Sequence, residues 1–289
     1  MVSDGGILPR RMWSSFAGIL LAVRDLAPAE TAYASLLGRQ PAWRAAPGGG
    51  GSTSSGFALA NALLELRAPG AGAEALGLRE WIDARGEGLA AIVLATDDVA
   101  RCARELGGRG IALRAAEHRD LRAGGAPFAA ALRLPASATR GIPVLVVDSA
   151  RVPACQDAGS GGRVGALDHV VLASRDPDAS AAVWGGALGL RLALDRRFEA
   201  RGLRILFFRL AGVTLEVTGP LDAPAGEAPD AFFGVAWRVA DVRAARERVA
   251  AAGLDVSEVR AGHKPGTRVC TVRSGTCGVA TLLIGPSGP

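Results

Sequence analysis

Within the 289-residue chain, one carboxylate stands where a carboxylate is hard to keep. From Val213 to Thr218 apolar and polar residues alternate, as in a strand with one face in a core. Val213, Leu215 and Val217 are expected beneath a helix, and Thr214, Glu216 and Thr218 are expected to line a cavity. A charge on a mid-strand cavity face is costly unless it is paired or used. Glu216 therefore reads as a general base or ligand, with an ion pair to a nearby arginine as the structural alternative. His169 shares cavity parity with Val171 and Ala173, so a ligand, a proton carrier and a hydrogen-bonded core histidine are all open for it. Asp168 has the opposite parity and is assigned to the structure. Arg238 falls on the cavity side of its own strand, where a guanidinium either grips a carboxylate or phosphate bidentately or stands in water at the mouth. Thr214 and His263 complete the candidate substrate contacts, His263 from a Gly-His-Lys-Pro-Gly loop placed to overhang the cavity. Glu65 shares a face with Leu63 and Arg67, and a salt bridge to Arg67 is expected. His118, among Glu117, Arg119 and Asp120, is expected to be exposed.

The elements that must position these residues come from an internal repeat. Four apolar strands, beginning at Gly18, Ala91, His169 and Gly234, each reach an aspartate seven positions on: Asp25, Asp98, Asp176 and Asp241. An aspartate there is suited to cap a helix, its carboxylate accepting from free N–H groups of the first turn. Each copy closes on a second apolar strand at a nearly constant distance, around Glu65, Leu145, Glu216 and Leu282. Between helix and closing strand, Arg204 to Arg209 and Arg268 to Arg273 are predicted strands, rich in β-branched and aromatic residues. Residues 1–150 are predicted as one domain, 151–164 as a linker and 165–289 as a second domain. The glycine- and serine-rich stretch from Pro47 to Gly56 is expected to be a mobile loop.

Composition limits the function classes. A hydrophobic fraction of 49% excludes a disordered chain. The apolar stretch Phe16 to Val23 is too short to span a bilayer, and no signal-like cleavage site follows it, so no membrane partner and a cytoplasmic location are expected. The net charge of +5 is spread over arginines that mostly neighbour acids, which argues against nucleic acid as a partner. The four cysteines show no zinc-ligand spacing and are expected as free thiols.

The segments Leu167 to Leu172, Gly212 to Val217 and Gly262 to Val272, with Ala60 to Leu66 and Gly88 to Val99 in the first half, resemble the βαβββ module of the vicinal oxygen chelate superfamily. The resemblance implies an α+β fold of two glyoxalase-like domains, each a pair of βαβββ modules forming a half-open barrel, with a homodimer among its assemblies. It also implies a divalent metal (Zn, Ni, Mn, Fe or Mg), held by a first-strand residue and a last-strand carboxylate of each module, and no nucleotide cofactor. Only the third module keeps both ligand types, His169 and Glu216. The others offer Gly18 with Glu65, Ala91 with Leu145, and Gly234 with Leu282, so the metal set is incomplete and the first domain is expected to be degenerate. The implied function is isomerase or lyase chemistry on a small carbonyl or enediolate-forming substrate, with Glu216 and His169 catalytic and Arg238 orienting the substrate. Two alternatives stand beside it: a metal-free protein that binds a small molecule, and a relative of the extradiol dioxygenases that has lost its iron site.

Overall fold

All four repeat aspartates cap helices. In the computed structural model, which describes residues 11–45, 51–72, 76–115, 128, 131–152, 159–222 and 226–287, Asp25 accepts from the N–H of Ala27, Asp98 from Arg101, Asp176 from Ala179, and Asp241 from both Arg243 and Ala244. Each cap turns the chain from a first strand into a helix that crosses one face of its sheet. The first module comprises β1 (Ser15–Ala22), α1 (Leu26–Leu37), β2 (Trp43–Ala45), β3 (Ser52–Ala58) and β4 (Leu63–Pro69). After α2 (Leu76–Arg85) come β5 (Gly88–Thr96), α3 (Val99–Gly107), β6 (Arg114–Ala115), β7 (Leu132–Arg133) and β8 (Val144–Asp148). The third module holds β9 (Val164–Ala173), α4 (Pro177–Ala181), β10 (Arg191–Phe198), β11 (Leu203–Leu210) and β12 (Val213–Pro220). The fourth holds β13 (Ala231–Val239), α5 (Val242–Ala251), β14 (Arg260–Ala261), β15 (Thr267–Val272) and β16 (Ala280–Pro286).

Two open eight-stranded sheets result, in the orders β2-β3-β4-β1-β5-β8-β7-β6 and β10-β11-β12-β9-β13-β16-β15-β14. Within each module the first and closing strands run parallel, while β1 with β5 and β9 with β13 join antiparallel at the centre. The modules therefore pair first with second and third with fourth.

The stretch expected to be a loop departs from that expectation where it is described. Ser52 to Gly56 belong to β3 and pair with β4, and residues 47–50 lie outside the described residues. Small residues are needed there because the Trp43 indole lies across β3: a Cβ on Gly56 would sit 1.9 Å from the ring. Tertiary packing overrides the low strand preference of serine and glycine. His118 lies outside the described residues.

Helix-side residues of both sheets merge into one core, in which Ile19, Leu64 and Val146 of the first sheet join Leu167, Val217 and Trp237 of the second. Side chains also bond across the junction. Tyr33 donates to the Thr276 carbonyl at 3.0 Å, and Trp13 Nε1 donates to the Leu188 carbonyl at 2.6 Å. Asn61 takes both backbone groups of Leu167, donating to its carbonyl at 2.8 Å and accepting from its N–H at 2.9 Å. Leu167 is fully buried, so Asn61→Ala strips partners from groups that water reaches poorly. A loss of about 1–3 kcal/mol is expected in urea unfolding, and an unchanged midpoint would show that this clamp is dispensable.

The inner faces of the two sheets differ. In the first, Leu20, Leu63, Val93 and Leu145 pack with Phe128 into a buried apolar cluster that fills the concavity. In the second, Val171, Ala173, Phe207, Glu216 and Thr218 keep partial exposure, and the trough is open.

Candidate active site in the second half-barrel

In every module the first strand is bulged at one equivalent place. The register across β1 and β5 skips Ala17 and Ala90, and the register across β9 and β13 skips Asp168 and Phe233. A bulge inserts one residue and shifts the pleat locally, so two successive side chains can serve the same side. Asp168 therefore joins the site, contrary to the structural role that simple alternation gave it. The sequence signal was the spacing of the core residues Leu167 and Val170, three apart where an unbroken strand would space them by two.

The bulge brings four ionisable groups together. His169 Nδ1 lies 3.0 Å from Asp168 Oδ1 and 3.6 Å from Glu216 Oε1, with the two side chains of the His169–Glu216 pair 15% and 19% exposed. Arg238 reaches Asp168 Oδ2 with Nε at 2.9 Å and with its terminal nitrogen at 2.8 Å. Thr214 sits beside His169 as its register partner on β12. Arg238 thus holds a carboxylate of the protein, where the sequence left open a ligand's carboxylate or phosphate and water at the mouth. His263 is set apart, exposed in the turn between β14 and β15 and at least three strands from β9.

The electrostatics follow from these neighbours. For Asp168, burial pushes the carboxyl pKa up, but the hydrogen bonds from His169 and Arg238 outweigh it and hold the group at about 2. For His169, burial disfavours the imidazolium, yet the Asp168 hydrogen bond and the Glu216 charge win, and its pKa ends above the usual value. Burial raises Glu216, against the opposing His169 charge. An ionised carboxylate only accepts, so Nδ1 of His169 carries a proton toward Asp168 and Nε2 remains for a ligand. Because the folded pKa of His169 is raised, its stabilisation is complete below about 6.5 and is lost as the pH rises through the folded value. The thermal midpoint of the wild type relative to His169→Gln is therefore expected to shrink as the pH rises from about 6.5 through the raised folded value, and a constant difference would contradict the pairing.

Residues 168–271 match the model of the Glyoxalase/Bleomycin resistance protein/Dioxygenase superfamily, and residues 19–155 match that of the Glyoxalase-like domain. The chain belongs to the vicinal oxygen chelate superfamily, as a tandem member. Solved structures similar to it include a mutant 4-hydroxymandelate synthase from Streptomyces coelicolor, 17% identical over 96% of this chain and 94% of that one, with a TM-score of 0.72. An Mn(II)-bound glyoxalase from Novosphingobium aromaticivorans is 15% identical over 94% of this chain and 82% of that one, with a TM-score of 0.66. A halotolerant catechol dioxygenase is 14% identical over 95% of this chain and 87% of that one, with a TM-score of 0.63. At these identities the likeness is one of fold. Among curated protein sequences, none matches. Among the described residues no helix is long and apolar enough to cross a membrane.

The vicinal oxygen chelate fold implies a metal, and the donors can be tested against one. A Cβ on Gly18 would lie 2.2 Å from the Leu63 carbonyl oxygen, and one on Gly234 would lie 2.3 Å from that of Ala280, so neither position has room for a histidine. Glu65 is taken by Arg67 in a fully buried ion pair. In the third module Nδ1 of His169 is turned to Asp168, whose other oxygen is held by the fixed cation of Arg238. Among the described residues no group of three or more His, Cys, Asp or Glu is disposed to hold an ion. Two donors rarely hold a divalent cation tightly. These residues do not fit a resident metal.

Proposed function

We propose that this protein is an enzyme that moves protons on a small carbonyl compound bound in the second half-barrel. The observation that supports this reading is the approach of His169 to Glu216 at 3.6 Å on the open face of the second sheet, while the matching positions of the first sheet are sealed by Phe128 and its neighbours. Burial raises the Glu216 pKa, which makes its carboxylate a stronger base than one in water. Glu216 takes the proton from the hydroxyl-bearing carbon next to the carbonyl. Protonated His169, the form that Asp168 and Glu216 favour, donates from Nε2 to the carbonyl oxygen, and an enediol forms without a free oxyanion. Return of the proton from Glu216 to the former carbonyl carbon, with the proton of the other enediol hydroxyl taken up by His169, completes an isomerisation. Asp168 fixes the imidazole and Arg238 fixes Asp168, both as positioning residues.

The test is deuterium exchange. In deuterated buffer the wild type is expected to exchange the protons next to the carbonyl of hydroxyacetone, dihydroxyacetone phosphate or pyruvate, in the presence of EDTA. Exchange no faster than in buffer for all of these compounds would favour the binding-protein reading, in which the same trough sequesters a ligand without chemistry.

A further inference from the structure

The register of the second sheet can be followed sideways from His169. Its partner on β12 is Thr214, the partner of Thr214 on β11 is Arg209, and the partner of Arg209 on β10 is Arg191. Directly opposed residues share a face, so Arg191, Arg209, Thr214 and His169 form one row across the trough. Neighbouring strands are about 4.8 Å apart, so the Arg209 and Arg191 backbones lie about 10 and about 14 Å from that of His169, and the long arginine side chains must reach inward to meet one small molecule.

Two arginines directly opposed on antiparallel strands repel each other. Two other arginines of this sheet are ion-paired, Arg204 with Asp178 and Asp195, and Arg238 with Asp168. Arg191 and Arg209 are both exposed, and neither side chain makes a hydrogen bond or ion pair with another described residue. The one acid of β10, Asp195, is turned to Arg204. Arg209 acts on the charge of Glu216, opposing the effect of its burial. The adjacent row is apolar apart from Glu216, running through Leu194, Phe207 and Val171.

We propose that Arg191, Arg209 and Thr214 form an anion subsite that takes the carboxylate or phosphate group of the substrate and lays its carbonyl carbon between Glu216 and His169. Two guanidinium forks and a hydroxyl match an oxyanion with two or three acceptor oxygens, and a bound anion converts the repulsion of the pair into binding. The substrate class is then a short oxoacid or a phosphorylated hydroxycarbonyl, with the reacting carbon a few atoms from the charge. This subsite deepens the proton-transfer reading and rests on it for the placement of the carbonyl, but anion binding is measurable without turnover.

The probes are pyruvate, dihydroxyacetone phosphate and neutral hydroxyacetone at constant ionic strength, with thermal unfolding as the readout, since a ligand bound only by the folded state raises the midpoint. The wild type is expected to rise with at least one of the two anions and not with hydroxyacetone. Pyruvate alone would assign a carboxylate, and dihydroxyacetone phosphate alone a phosphate. In Arg191→Gln/Arg209→Gln the affinity is expected to fall by about tenfold or more, while the unliganded midpoint equals or exceeds that of the wild type because the repulsion is gone. Arg191→Lys/Arg209→Lys keeps the charge without the fork and is expected to bind with intermediate affinity. No rise with either anion, or equal affinity in the wild type and the glutamine double variant, would overturn the subsite. Glu216→Gln separates the two ideas: anion binding retained alongside full exchange activity would remove Glu216 as base and leave the subsite standing.

Discussion

Replacing Glu216 with glutamine is expected to lower the rate of carbonyl-adjacent proton exchange by about 10²–10⁴-fold, the range that one positioned acid–base group supplies. The substitution keeps the shape of the side chain and removes only its basicity. Glu216 is partly exposed on the trough side of β12, while the helix-side residues Leu215 and Val217 anchor the strand in the core. The fold is therefore expected to survive, with an unchanged urea midpoint as the control. A fall in exchange below about tenfold, well under that range, would mean that another group takes the proton.

A comparably large effect, on stability, is expected where the first domain has the equivalent carboxylate. Glu65 and Arg67 face each other inside the filled concavity, 0% and 1% exposed at their side chains. Arg67→Met leaves the buried Glu65 carboxyl without its cation, among Leu20, Leu63 and Val93. Losing one partner of a buried pair costs about 3–5 kcal/mol, and urea unfolding should register most of it. The double variant Glu65→Leu/Arg67→Met removes both desolvated charges and is expected to regain most of that loss, because apolar replacement of a buried pair is often neutral or better. Additive losses in the double variant would show that the two side chains stabilise the domain separately.

Much of the architecture was legible because its signals are local. The capping aspartates sit at the end of each first strand, and alternation in Val213 to Thr218 put Glu216 and Thr214 on the open face with His169. What escaped depended on contacts distant in sequence. A bulge changes parity without changing composition, so Asp168 reads as structural until the pairing of β9 with β13 is known. Ser52 to Gly56 lack the β-branched residues of a strand and are held in one by β4 and Trp43. Phe128, which closes the first concavity against Gly18, lies far along the chain from the strands it seals. Arg191 and Arg209 were invisible for the same reason: their opposition exists only once β10 and β11 are in register.

The shared pocket of His169 and Glu216 can be measured by titrating the imidazole signals with nuclear magnetic resonance, assigning His169 by its loss in His169→Gln. With Glu216 beside Nδ1, the Glu216→Gln variant loses an attraction that favours the imidazolium, so the His169 pKa is expected to fall while those of the other two histidines stay in place. An unmoved His169 pKa would place the carboxylate out of reach of the ring, and the proposed proton transfer would fall with it.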